Sequence, residues 1–104
     1  MARFDVRANL NRTSRARVPL LVEIQSDLLS TLSTRLVAPL VASAAFGPPA
    51  ARLNPVFRIG ARNYVMDTAA MAAVPVSLLG AKTVSLAERA PEIVEAIEFL
   101  ISGI

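Results

Sequence analysis

The sequence predicts an α+β fold, a small β-barrel-like domain closed by a C-terminal helix. Three observations predict it: short apolar runs with period two, a single breaker cluster in mid-chain, and one amphipathic stripe in the last fifteen residues. At 104 residues the chain is expected to form one domain, residues 1–104, burying roughly two thirds of its unfolded surface without a staple. No internal repeat is visible.

Arg3 to Asn9 alternates Phe4, Val6 and Ala8 with Arg3, Asp5, Arg7 and Asn9, which sets one apolar face against a core and predicts a strand. Asn11-Arg12-Thr13-Ser14-Arg15 is turn-prone, and the β-branched and leucine residues from Arg17 to Gln25 return as the second arm of an antiparallel hairpin. Arg35 to Ser43 reads as a third, more buried strand, in which Pro39 predicts an edge or a bulge. Phe46-Gly47-Pro48-Pro49 is the strongest breaker and predicts an exposed loop reaching Pro55. Two short strands follow, Pro55 to Ile59 and Asn63 to Met66, joined by Gly60-Ala61-Arg62. Thr68 to Ala73 suits a helical turn or an extended link, and Val74 to Leu79 reads as a strand ended by Gly80.

Pro91 fits the start of a helix because its missing N–H is no loss there, and Glu92 and Glu95 lie where the helix dipole favours acids. Ile93, Val94, Ile97, Leu100, Ile101 and Ile104 recur at three- and four-residue intervals as one apolar stripe, with Glu92, Glu95 and Glu98 on another face. Ser85 with Glu88 gives a capping-box signal for a turn just before it.

Composition narrows the chemistry. The chain has no Cys and no His, which removes disulfides, thiolate sites and the usual acid–base group near neutral pH. Its apolar runs are interrupted by Pro39 and Ser43, and by Pro75 and Ser77, well short of the ~18 to 20 residues of a spanning helix. With no secretory h-region near the N-terminus, a cytoplasmic protein without membrane association is expected. Charge divides along the chain: residues 1–62 hold nine Arg against Asp5, Glu23 and Asp27, and residues 63–104 hold Lys82 and Arg89 against five acids. A basic front half suits nucleic acid, an acidic partner protein or simply a solvated surface. Five aromatic residues without Trp form no stacking platform, so specific nucleic-acid binding is not expected.

Two blocks carry a resemblance. Val22-Glu23-Ile24-Gln25-Ser26-Asp27-Leu28-Leu29 followed by Arg35-Leu36-Val37-Ala38-Pro39-Leu40 is the first; Pro55-Val56-Phe57-Arg58-Ile59-Gly60 through Met71-Ala72-Ala73-Val74-Pro75-Val76-Ser77-Leu78-Leu79-Gly80 is the second. In residue types, order and spacing they resemble the CcdB family of toxins. The resemblance implies an SH3-like barrel, shared with the MazF and Kid ribonuclease toxins, and a homodimer with its two terminal helices side by side. It further implies binding to the A subunit of DNA gyrase with the gyrase–DNA cleavage complex trapped, a CcdA-like antitoxin as second partner, no cofactor, and no catalysis by the toxin itself.

Carried over by position, Leu28 and Leu29 match an aliphatic pair beside the gyrase-binding surface. Gly103 and Ile104 match terminal contact residues, Glu98 stands at a polar contact position, and Ser102 occupies the place of the family's Trp. Loss of a buried aromatic anchor typically costs about 2 to 4 kcal/mol of binding. Phe99, three residues earlier, is either a dimer-core side chain or an aromatic near the same face. Ile93, Val94, Ile97 and Ile101 are expected to pack on the sheet or at the dimer interface. Two alternatives remain: a MazF/Kid-like endoribonuclease using Arg35, Arg58 and Asp27, and a homologue that binds antitoxin without poisoning gyrase.

Overall fold

The computed structural model describes residues 2–103. Seven strands make one curled antiparallel sheet: β1 (Asp5–Asn9), β2 (Leu20–Glu23), β3 (Thr34–Ala42), β4 (Val56–Ile59), β5 (Arg62–Met66), β6 (Ala72–Pro75) and β7 (Leu79–Ser85). Two α-helices accompany them, a single turn α1 (Ser43–Phe46) and the terminal α2 (Ala90–Ser102). The order across the sheet is β4-β5-β3-β2-β1-β7, with β6 also paired to β3. This is the α+β small barrel with a C-terminal helix that the sequence predicts.

The predicted hairpin forms with Val6 opposite Val22 and Ala8 opposite Leu20. Its even-numbered residues face the main core, where Phe4, Val6, Val22, Ala38, Leu40, Phe57 and Met66 close over Ile93 and Ala96 of α2. Gly60-Ala61 turns β4 into β5, with Gly60 at φ +62° and Arg62 already paired to Ile59. Asn9 explains how the long turn from Leu10 to Val18 is held: its Nδ2 donates to Ser14 Oγ and to the Val18 carbonyl, and its Oδ1 accepts from the Asn11 N–H.

Pro39 departs from expectation. It lies in β3, the most connected strand of the sheet, and marks neither an edge nor a bulge. On one side β3 meets β2, with Leu21 opposite Pro39; on the other, β6 covers Thr34–Val37 and β5 covers Leu40–Ala42. Ladder alternation turns the Pro39 nitrogen away from β2, into the gap between β6 and β5, where no donor is needed. Its carbonyl is used there, accepting from the Asp67 N–H at 2.9 Å.

The second departure concerns Gly80. It does not end a strand; it lies within β7, and residues Val76–Leu78 ahead of it form a 3-10 turn. β7 was hidden in the sequence because Ala81, Lys82 and Thr83 are exposed, leaving no apolar alternation to read. A Cβ at Gly80 would lie 3.0 Å from Ala8 Cβ and 3.1 Å from the Ala8 carbonyl oxygen, so Gly is what lets β7 close against β1. Thr68–Ala70 makes a 3-10 turn and Ala72–Pro75 a strand, so the ambiguous segment is both.

The polar face of the hairpin is the third departure. Asp5 and Glu23, together with Arg35 of β3, are buried. They sit on the second face of the sheet beside a small apolar cluster of Leu21, Val37 and Leu79. Glu23 lies 3.1 Å from Arg7 Nε and 3.7 Å from Arg35 Nε, while Asp5 meets Arg7 at 3.7 Å and Lys82 at 3.4 Å. Two buried carboxylates are thereby enclosed by three cations.

Candidate protein-contact site

Gln25-Ser26-Asp27-Leu28-Leu29 inverts the usual arrangement of polar and apolar side chains. The polar ones fold back onto backbone. Ser26 Oγ accepts the Leu28 N–H at 3.2 Å, capping a 3-10 turn over Asp27–Leu29. Gln25 Nε2 donates to the Leu29 carbonyl at 3.0 Å, and Gln25 Oε1 accepts the Leu36 N–H at 3.0 Å. Asp27 Oδ1 accepts the Arg3 N–H at 2.6 Å. With its backbone held by these groups, the turn displays Leu28 at 92% exposure and Leu29 at 50%. Leu32, also half exposed, and Leu36 extend the apolar surface. Exposed leucines gathered at and near one tightly bonded turn make it a candidate contact surface.

Arg35 stabilises the neighbouring backbone. Its Nη1 donates to the Leu32 carbonyl at 2.8 Å and to that of Thr34 at 3.1 Å, its Nη2 donates to the Ser30 carbonyl, and its Nε faces Glu23. The charged cluster on the second face of the sheet is thus continuous with the turn that presents Leu28. Sequence reasoning missed this cluster, although Arg7 and Glu23 share a face by strand period.

The other apolar display is the end of α2. Ile93 and Ala96 have no exposed surface, and Ala90, Val94 and Ile97 pack partly against the same core. Ile93, expected to pack on the sheet or at a dimer interface, is taken up wholly by its own protomer. One turn later the helix overhangs the sheet: Leu100 is 40% exposed and Ile101 75%, with Glu98, Ser102 and Gly103 also exposed. Gly103 caps the helix in the left-handed region, φ +70°, and its N–H donates to the Phe99 carbonyl at 2.9 Å. Ile104, expected to make a terminal contact, lies outside the described residues.

An arginine guanidinium covers an aromatic ring near each end of α2. Arg89 lies over Phe57 at 4.7 Å and also donates to Glu92 Oε2 at 2.6 Å. That hydrogen bond holds the Glu92 carboxyl below its ordinary value and raises Arg89. Arg52 lies over Phe99 at 4.6 Å and pairs with Glu95 at 3.0 Å. Phe99 is therefore covered on one face within the chain.

The residues suited to phosphodiester cleavage are not assembled. Arg35 is spent on carbonyls and Glu23, and Asp27 on the Arg3 backbone. Arg58 lies in β4, separated from β3 by β5, which pairs with the far half of β3 from Arg35. No helix among the described residues is long and apolar enough to cross a membrane.

A curled antiparallel sheet closed by a C-terminal helix, with leucines exposed on a capped turn and an apolar helix end, defines a small α+β barrel protein with two candidate contact surfaces. The family model described as CcdB protein matches residues 3–103, and the chain belongs to the CcdB family. It is therefore placed among the toxins of toxin–antitoxin systems.

Proposed function

We propose that this toxin acts in the cytoplasm as a homodimer that binds the A subunit of DNA gyrase and holds the gyrase–DNA complex in its cleaved state, the chemistry being left to gyrase. The observation that carries this reading is the display of Leu28 and Leu29 on a turn whose polar residues Gln25, Ser26 and Asp27 bond to backbone. By the resemblance drawn from the sequence, these two positions match an aliphatic pair beside the family's gyrase-binding surface. The overhanging end of α2, with Ile101, Ser102 and Gly103 exposed, supplies the other contact surface. Val94, Ile97 and Ile101 lie along the side of α2 offered to a second protomer, and a CcdA-like antitoxin is the partner that removes the toxin.

The test is incubation of the purified protein with gyrase, supercoiled DNA and ATP, followed by detergent and protease. Linear DNA is the expected product, released from a trapped cleavage complex. Its absence with the host's own gyrase, from a protein shown to be dimeric, overturns the proposal.

A further inference from the structure

We propose that Arg52 is a positioning residue for the end of α2: it clamps Phe99 and Glu95 to the barrel and so fixes how the last turn is presented to a partner. Arg52 sits in the loop between α1 and β4, at φ +69°, a left-handed conformation uncommon for a residue with a side chain. From there its guanidinium reaches Glu95 Oε1 at 3.0 Å and lies 4.6 Å over the Phe99 ring. One side chain thus grips two successive turns of the helix, Glu95 within the stretch that Ile93 and Ala96 hold by burial and Phe99 beyond it.

The loop is itself anchored. Asn54 Nδ2 donates to the carbonyl of Met66, a fully buried residue, at 3.0 Å, and Asn54 Oδ1 accepts the Ala50 N–H at 3.0 Å. Thr68 Oγ1 donates to the Leu53 carbonyl next to Arg52. A path of bonded groups therefore runs from the core through Asn54 and Thr68 to Arg52, and on to the helix end. An exposed ion pair alone contributes little. Here the same guanidinium also stacks on a ring, and its backbone is fixed before the contacts form, so less freedom is lost in making them.

The clamp is one-sided. Helical periodicity places Phe99 and Ile101 about 200° apart around the axis. Arg52 therefore holds the Phe99 side and leaves the Ile101 side, 75% exposed, as the apolar contact edge. Phe99 works as the handle of the clamp, with one ring face already occupied, and does not stand in for an absent aromatic at Ser102.

The effect on partner binding rests on the gyrase reading above, whereas the clamp itself can be tested without gyrase. Amide exchange is measured by NMR on the unliganded full chain for Arg52→Ala, Arg52→Lys and Phe99→Leu. Arg52→Ala is expected to speed exchange at Gly103, whose N–H bonds to Phe99, by about five-fold or more, the scale of one cation–π contact plus one exposed ion pair, with Ala96 unchanged. Arg52→Lys, which keeps charge without a planar fork, is expected to recover only part of the protection. Phe99→Leu combined with Arg52→Ala is expected to be no worse than Arg52→Ala alone. Unchanged exchange at Gly103, or a rise shared equally by Ala96 and the barrel strands, overturns the clamp. In a gyrase-binding titration, Arg52→Ala is expected to weaken binding by a similar factor. Wild-type protein that fails to bind gyrase overturns the gyrase reading alone, and the Gly103 result still decides Arg52.

Discussion

Glu23→Gln tests the charged cluster on the second face of the sheet most sharply, because it removes one charge and almost no volume. Glu23 is 2% exposed and lies 3.1 Å from Arg7 Nε and 3.7 Å from Arg35 Nε, itself on a residue only 6% exposed. At an effective dielectric of about 20, a unit pair at these separations is worth about 4 to 5 kcal/mol before desolvation. Removing one partner of a buried pair leaves the other charge unmatched and typically costs about 3 to 5 kcal/mol. The Gln side chain still accepts a hydrogen bond, which places the expected loss at about 3 kcal/mol. For a chain of this length that corresponds to a fall in Tm of about 12 to 24 °C. The assay is urea unfolding followed by circular dichroism, with thermal melts alongside and Glu88→Gln, an exposed position, as control. The control should change by less than about 0.5 kcal/mol. A loss below about 1 kcal/mol in Glu23→Gln refutes the reasoning, since that is the value of an exposed pair and would mean solvent already screens both arginines.

The remaining expectations span packing, pH and recognition. Gly80→Ala places a Cβ 3.0 Å from Ala8 Cβ and should cost about 1 to 2 kcal/mol in the same urea assay, despite the better strand propensity of Ala; a stabilised variant would show that β7 can move away from β1 at no cost. The Arg89–Glu92 pair holds the Glu92 carboxyl below its ordinary 4.5, so its contribution is complete above that pH and disappears as pH falls through the lowered folded value. Both side chains are well exposed, so Glu92→Gln should lose less than about 1 kcal/mol at pH 7, and its Tm should converge with that of the wild type in acid. Under the proposed function, Ser102→Trp restores the aromatic that the family carries at this position and should tighten binding to gyrase by about 2 to 4 kcal/mol in a titration, and unchanged affinity would count against the end of α2 as the contact surface.

Much of this architecture was legible because local patterns and tertiary demands agree. Phe4 and Val6, from the alternation that predicts the first strand, are read out directly in the main core, and the stripe that begins at Ile93 is read out as α2. The Gln-Ser-Asp-Leu-Leu motif could be located, but its inverted use was not legible, because a sequence does not show that Gln25 bonds to Leu29 and Leu36. β7 was missed since a strand paired on one side, with exposed Ala81, Lys82 and Thr83, carries no hydrophobic signature. Pro39 misled for a related reason: proline forbids a donor, and only the pairing scheme reveals that β3 has a gap where none is required.

Fold class, terminal helix and family could be read from the chain by itself, because they rest on periodicities and on residue types in order. Tertiary structure alone decided which charges are buried and which apolar residues are displayed. The curl of the sheet brings Asp5, Arg7, Glu23, Arg35 and Lys82 together from four strands. It also leaves Leu28 and Ile101 outside, although composition and periodicity alone do not separate either from a core residue. The physical reason is that burial and charge pairing depend on distances between segments far apart in the chain: Arg52 is 47 residues from Phe99, and the fold places it over that ring.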